Sequence, residues 1–179
     1  MLGIILRELK KYVEAQHGKP AWQELLRTAG LEGKVYLPLT DYPDAELTRL
    51  VTEISATSGQ SADDILEEFG EFIVPDLVQT YRTLIQPGWK TLDLIEHTEK
   101  VIHSAVRLRD SNARPPELSV ARTSVDRVEI IYTSHRQLCA VAKGIARGVA
   151  RHYGERVEIA EDRCMKQGAA DCFIRVTRT

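Results

Sequence analysis

Apolar residues recur at helical spacing through the first two-thirds of the chain and alternate with polar ones in the last third. Ile4, Ile5, Leu9, Tyr12 and Val13 make one stripe of a first helix, stopped at Gly18. Pro20 opens a short second helix that runs through Leu26, and Gly30 follows it. Lys34–Leu39 reads as a connector. Asp41, Pro43 and Asp44 read as a cap for a helix carrying Leu47, Leu50, Val51 and Ile54, ended by Gly59. Ser61 with Asp64 resembles a capping box at the head of a long helix bearing Ile65, Leu66, Phe69, Phe72 and Ile73, which Pro75 should interrupt or kink.

Pro87-Gly88 is a turn, and Leu92 to Arg109 is one more helix. Asn112 and Pro115-Pro116 then form a rigid connector into a different regime. Glu117–Ser124 and Arg127–Ser134 read as a hairpin turning near Val125-Asp126. Arg136–Tyr153 returns to helix and stops at Gly154. Arg156–Cys164 and Asp171–Arg178 form a second hairpin around Gln167-Gly168. Helices first and β-β-α-β-β afterwards is an α+β arrangement of one domain, 1–179, with an N-terminal helical part (1–60) and a mixed part (61–179).

Composition narrows the function classes. The chain has 179 residues, 43% apolar and 28% charged, which suits a globular domain large enough to enclose a cavity. Its net charge of −2 gives no basic footprint for nucleic acid. No apolar run approaches a membrane span, and Leu2–Leu6 meets Arg7, Glu8, Lys10 and Lys11 too soon for a secretory signal. A cytoplasmic protein with reduced cysteines is expected. No phosphate-cradling loop, nucleophile elbow or His-Glu-x-x-His pattern occurs, so no catalytic cluster emerges and an enzyme is not expected.

The chemistry concentrates in Tyr132-Thr133-Ser134-His135-Arg136. If the second strand runs on through this stretch, Tyr132, Ser134 and Arg136 share a face. A phenol, a hydroxyl and a guanidinium there suit a ligand with two carboxylates, while His135 falls on the other face as a structural residue. Upstream, His103 sits in a helix among Val101, Ile102, Ala105 and Val106. A porphyrin has two propionates and an iron that accepts an imidazole.

These residues resemble the signature of the H-NOX (haem–nitric oxide/oxygen-binding) family. The resemblance also runs through Met1-Leu2-Gly3-Ile4-Ile5, His17-Gly18, Trp22-Gln23-Glu24-Leu25-Leu26, Ala29-Gly30-Leu31, Tyr42-Pro43-Asp44 and Phe69-Gly70-Glu71-Phe72. It implies a b-type haem with His103 as proximal iron ligand. Pro116 would pack on the porphyrin, and Tyr132, Ser134 and Arg136 would clamp the propionates. Oxygen-binding members place a tyrosine five residues after the motif arginine, where this chain has Val141. Ile5, Leu9 and Val74 stand at the other gas-side positions and are apolar too. The implied ligands are nitric oxide and carbon monoxide rather than dioxygen. The implied partner is a separate histidine kinase or cyclic-dinucleotide enzyme, since the chain ends soon after the last hairpin.

Gly70, within the long helix, would either absorb a ligand-driven rotation or permit close packing. Cys164 and Cys172 flank the second hairpin turn, with Cys139 nearby in the family. Some bacterial members hold a structural zinc here, using a histidine where this chain has Glu161, with Asp162 as an alternative ligand. Zinc and free buried thiols both remain open at this point. Two rival functions stand beside the gas sensor. One is a haem-free small-molecule or zinc module like the 4-vinyl-reductase-like domains, suggested by Gly168 and Cys172-Phe173. The other is a redox switch run by the three cysteines.

Overall fold

The computed structural model describes residues 1–110 and 113–179. The part of the proline connector that falls on Asn112 lies outside the described residues. The chain forms two compact units, Met1–Phe69 and Gly70–Thr179.

The first unit is helical. α1 (Gly3–His17) ends where Gly18 turns to a positive φ of 84°, and α2 (Lys19–Thr28) follows with Pro20 in its first turn. α3 (Asp44–Ser58) begins without the side-chain cap expected from Asp41 and Asp44. Those carboxylates turn instead to the amino group of Met1, 4.0 and 2.8 Å away. A free ammonium outcompetes backbone N–H groups for a carboxylate because that hydrogen bond is charge-assisted on both sides. The capping expected at Ser61 is present, since Asp64 N–H donates to Ser61 Oγ at 3.1 Å and opens α4 (Ala62–Phe72). The buried stripe of α1 is Leu6, Leu9, Tyr12 and Val13, with Ile4 and Ile5 only partly covered. Charged residues are buried here as well. Glu8 pairs with Lys11 at 2.8 Å, and Glu46 accepts from Lys34 Nζ and Tyr36 OH, each at 2.8 Å.

Of the two outcomes expected at Pro75, the long helix from Ser61 shows interruption. α4 stops at Phe72, and α5 (Val74–Thr80) restarts with Pro75 in its first turn, where the missing N–H costs no hydrogen bond. The helix predicted over Leu92–Arg109 changes winding midway. α6 (Thr91–His97) passes through a π-helical turn, Thr98–His103, into α7 (Ser104–Arg109). The hydroxyl of Ser104 donates to the carbonyl of Glu99, five residues back, at 3.1 Å. That closure favours the wider turn.

Four strands follow: β1 (Glu117–Ser124), β2 (Arg127–Thr133), β3 (Val157–Arg163) and β4 (Cys172–Arg178). They form one antiparallel sheet in the order β1-β2-β4-β3, so the two predicted hairpins join through β2 and β4. The central strands carry the clean alternation, with Val128, Ile130 and Tyr132 on β2 and Cys172, Ile174 and Val176 on β4 pointing into the core. Edge strands β1 and β3 are more exposed, as antiparallel edges tolerate. α8 (Cys139–His152) covers this core with small residues, among them Ala140, Gly144, Ala146 and Gly148.

Gly70 and Gly148 explain the small residues. A Cβ built on Gly70 would lie 2.4 Å from the Val141 carbonyl oxygen. One built on Gly148 would meet Val74 Cγ2 at 2.6 Å and the Glu71 carbonyl oxygen at 2.8 Å. Of the two roles expected for Gly70, the packing one is what the geometry displays.

Candidate functional site

β2 ends at Thr133, so the strand does not carry Arg136, and the helix expected from Arg136 starts only at Cys139. Residues 134–137 form a turn closed by Gln137 N–H donating to the Ser134 carbonyl at 3.0 Å, with Gln137 at a positive φ of 50°. The Ser134 hydroxyl accepts the Arg136 N–H at 3.3 Å. A serine whose side chain bonds the backbone two residues on stops a strand, which alternation cannot reveal.

The turn leaves Ser134 beside Tyr132, while the Arg136 guanidinium reaches toward Arg114. The Tyr132 ring is buried at the end of β2, and burial raises its pKa to about 12 against opposing hydrogen bonds from Ser134 and the Leu138 N–H. It therefore stays a neutral phenol at physiological pH. Ser134 is buried beside it. Arg136 is half-buried and donates through a guanidinium N–H to the Arg114 carbonyl. His135 is exposed.

His103 ends the π turn with its side chain 15% exposed. Its Nδ1 lies 2.9 Å from Glu99 Oε2. Burial holds the imidazole pKa below its ordinary value, and Glu99 only partly offsets this. The ring is thus neutral near pH 7, the form able to ligate a metal. Other histidines have different surroundings: His97 stacks on Trp89 with ring centres 4.6 Å apart, and His152 packs edge-on against Tyr153.

The residues expected on the gas side are apolar side chains, each described within its own unit. In the first unit Leu9 is buried and Ile5 partly covered. In the second Val74 is buried on α5 and Val141 partly covered on α8. Two open clefts of about 480 and 520 Å³ lie elsewhere, around Asp126 and Arg178 and around Glu99 and Glu117. Neither is lined by Tyr132, Ser134 or Arg136.

A Haem-NO-binding family model matches residues 2–161. The chain belongs to the haem–NO-binding, or H-NOX, family. An H-NOX protein from Shewanella oneidensis in its Fe(II)NO state superposes with a TM-score of 0.93 at 26% identity, covering 100% of this chain and 99% of that one. The H-NOX domain from the same organism in its Fe(II)CO state gives 0.89 at 26% identity, with the same coverage. Unliganded Fe(II) H-NOX from K. algicida gives 0.86 at 22% identity over 100% and 97%, a likeness of fold. No curated protein matches the chain. H-NOX domains bind haem and act as gas sensors rather than enzymes. The donor set here fits such a group: a shielded imidazole, a buried phenol and hydroxyl, and a guanidinium two residues beyond that hydroxyl. No helix among the described residues is long and apolar enough to cross a membrane.

A second cluster lies under the same turn. Cys172 pairs with Tyr132 across β2 and β4. Cys139 Sγ is 3.5 Å and Cys172 Sγ 3.7 Å from Cys164 Sγ. The three sulfurs and a Glu161 oxygen all lie within 4.8 Å of one another. Glu161 faces inward on β3, its Oε2 3.1 Å from Lys143 Nζ, while its buried Oε1 has no hydrogen-bond partner. Asp162, the alternative ligand, is excluded. It falls where the β3–β4 register shifts and binds Arg175 at 2.8 Å on the outer face. Burial pushes the Cys139 and Cys172 thiols up, so without a cation they are inert core groups rather than reactive thiolates.

Proposed function

We propose that this H-NOX protein is a nitric oxide sensor that holds ferrous b-type haem through His103. The observation that carries this reading is the largely buried His103 imidazole, held through Nδ1 by Glu99 in a chain of a haem-binding family. Haem supplies a ferrous iron that bonds diatomic gases. His103 would hold the iron through Nε2, with Pro116 against the same face. Tyr132, Ser134 and Arg136 would bind the propionates. Ser134 and Tyr132 donate from buried positions, and Arg136 adds the charge a carboxylate pair requires.

Selectivity follows from the side chains that offer nothing. Val141 stands where oxygen-binding members place a tyrosine, and Val74, Ile5 and Leu9 bring no hydroxyl, amide or indole. Dioxygen needs a donor to stay bound, whereas nitric oxide and carbon monoxide do not. The partner we infer is a separate histidine kinase or cyclic-dinucleotide enzyme, as the likeness to bacterial H-NOX proteins suggests.

The test is the absorption spectrum of reduced protein under argon, air, carbon monoxide and nitric oxide. A Soret band that responds to the last two gases, with no lasting oxy form in air, is expected. A protein that takes up no haem, or keeps a stable oxygen complex, would refute the reading. Substituting Gly for His103 should remove the five-coordinate ferrous spectrum, and added imidazole should restore it.

The thiol cluster supports an additional bound ion. Zinc–sulfur bonds of about 2.3 Å at tetrahedral angles put sulfurs about 3.8 Å apart, close to the separations seen here. Cys139, Cys164 and Cys172 with Glu161 would make a structural zinc site that pins β3, β4 and the start of α8. Metal analysis of protein purified without chelator checks this.

A further inference from the structure

Glu99 stands behind the proximal histidine with every oxygen engaged. Its Oε2 meets His103 Nδ1 at 2.9 Å and accepts the Leu118 N–H at 3.1 Å, and its Oε1 pairs with the Arg107 guanidinium. The three donors come from the π turn, from β1 and from α7, so the carboxylate cannot swing away without breaking contacts to three elements. The guanidinium on Oε1 makes the group one half of an ion pair. A histidine that binds a metal through one nitrogen is oriented and made more basic by an anion at the other.

Resting on the haem reading above, we propose that Glu99 is the positioning residue of the proximal histidine. By accepting the Nδ1 proton it fixes His103 in the tautomer that offers Nε2. With haem bound, the negative charge at Nδ1 would make Nε2 a stronger donor to the iron, so that nitric oxide on that iron would displace His103 less readily. The Leu118 contact couples the same carboxylate to β1, where Leu118 is the register partner of Tyr132. Glu99 therefore links the histidine to the strand pair bearing the first propionate donor. Arg107 holds the carboxylate's second oxygen, so the charge that reaches the imidazole is that of a paired anion.

Two measurements test this. In haem-free protein, nitrogen-resolved NMR of the His103 ring should show a protonated, hydrogen-bonded Nδ1. An Nε2-protonated ring, or one exchanging freely between tautomers, would overturn the proposal. In haem-loaded protein, the ferrous iron–histidine stretching frequency should fall in the order wild type, Glu99→Gln, Glu99→Leu, as the acceptor loses charge and then disappears. The five-coordinate share of the nitric oxide form should rise in the same order. Haem loss from Glu99→Leu should be about 10- to 100-fold faster. A purely structural role for Glu99 could speed haem loss but would leave stretching frequency and tautomer alone, so an unmoved frequency in both variants overturns the proposal. Substituting Gly for His103 separates the two levels. If that change alters the ferrous spectrum while the Glu99 series does not, the haem reading stands and this inference falls. If His103 itself is without effect, both fall.

Discussion

Replacing Gly70 with Ala measures how tightly the backbone at that residue is held against α8. The added Cβ would lie 2.4 Å from the Val141 carbonyl oxygen and 3.1 Å from the Ile145 nitrogen, whereas ordinary contact begins near 3.4 Å. The two backbones must separate by about 1 Å, and a carbonyl in a helix cannot rotate away as a side chain can. Overpacking of this kind costs about 1–3 kcal/mol, and backbone opposition puts Gly70 at the upper end. Better helix propensity returns about 1 kcal/mol. The balance is a loss of about 2 kcal/mol. At about 2–4 °C per kcal/mol for a chain of this size, the melting temperature should fall by about 4–8 °C. Circular dichroism melts, run at matched haem content because a bound ligand raises the midpoint, read this directly. Gly148→Ala should lose a comparable amount, since its Cβ would strike the Glu71 carbonyl oxygen at 2.8 Å. An unchanged or higher midpoint for Gly70→Ala would mean that the close approach is not real and that Gly70 serves freedom of rotation instead.

Arg136→Ala removes a charged donor from the proposed propionate clamp. With charge-assisted bonds contributing about 1.5–3 kcal/mol, haem should dissociate roughly 10- to 100-fold faster; retention like wild type would demote the residue to a surface role. Val141→Tyr places a phenol at the position proposed to correspond to the tyrosine of oxygen-binding members, and a longer-lived oxy spectrum in air is expected; no change would show that the position does not face the gas. Cys164→Ser removes the sulfur nearest both other thiols, and bound zinc should drop from one equivalent to none, whereas a wild-type protein without zinc refutes the site. Glu46 has its carboxyl below the ordinary 4.5, because the bonds from Lys34 and Tyr36 outweigh burial, which pushes the other way. Its contribution is therefore complete above pH 4.5 and disappears as pH falls through the lower folded value. Glu46→Gln should flatten the loss of stability in that acid range, and equal slopes in acid urea titrations would contradict the ion-pair geometry.

Local pattern determined much of this protein. Helical periodicity with Gly18, Gly59, Pro20 and Ser61 as punctuation located the helices, because caps and breakers act within a turn of the residues they affect. Alternation located four strands to within a residue or two, because a half-buried strand must present one face. The family was legible in His103, Pro116 and the Tyr-x-Ser-x-Arg pattern. Features made by partners distant in sequence were not legible. Ser134 ends β2 through its own backbone bonds, so Arg136 reaches its place by a turn and not along a strand. The π turn before His103 has no signature in spacing, and Glu99 looks like an ordinary surface acid until α7 and β1 bring Arg107 and Leu118 to it. Glu161 and Asp162 are adjacent and chemically alike. Only the pleat, and the register shift between Glu161 and Arg163, sends one to the thiols and the other to solvent. Periodicity reports which face a residue occupies, while the distance between two faces is decided by the packing of elements far apart in the chain.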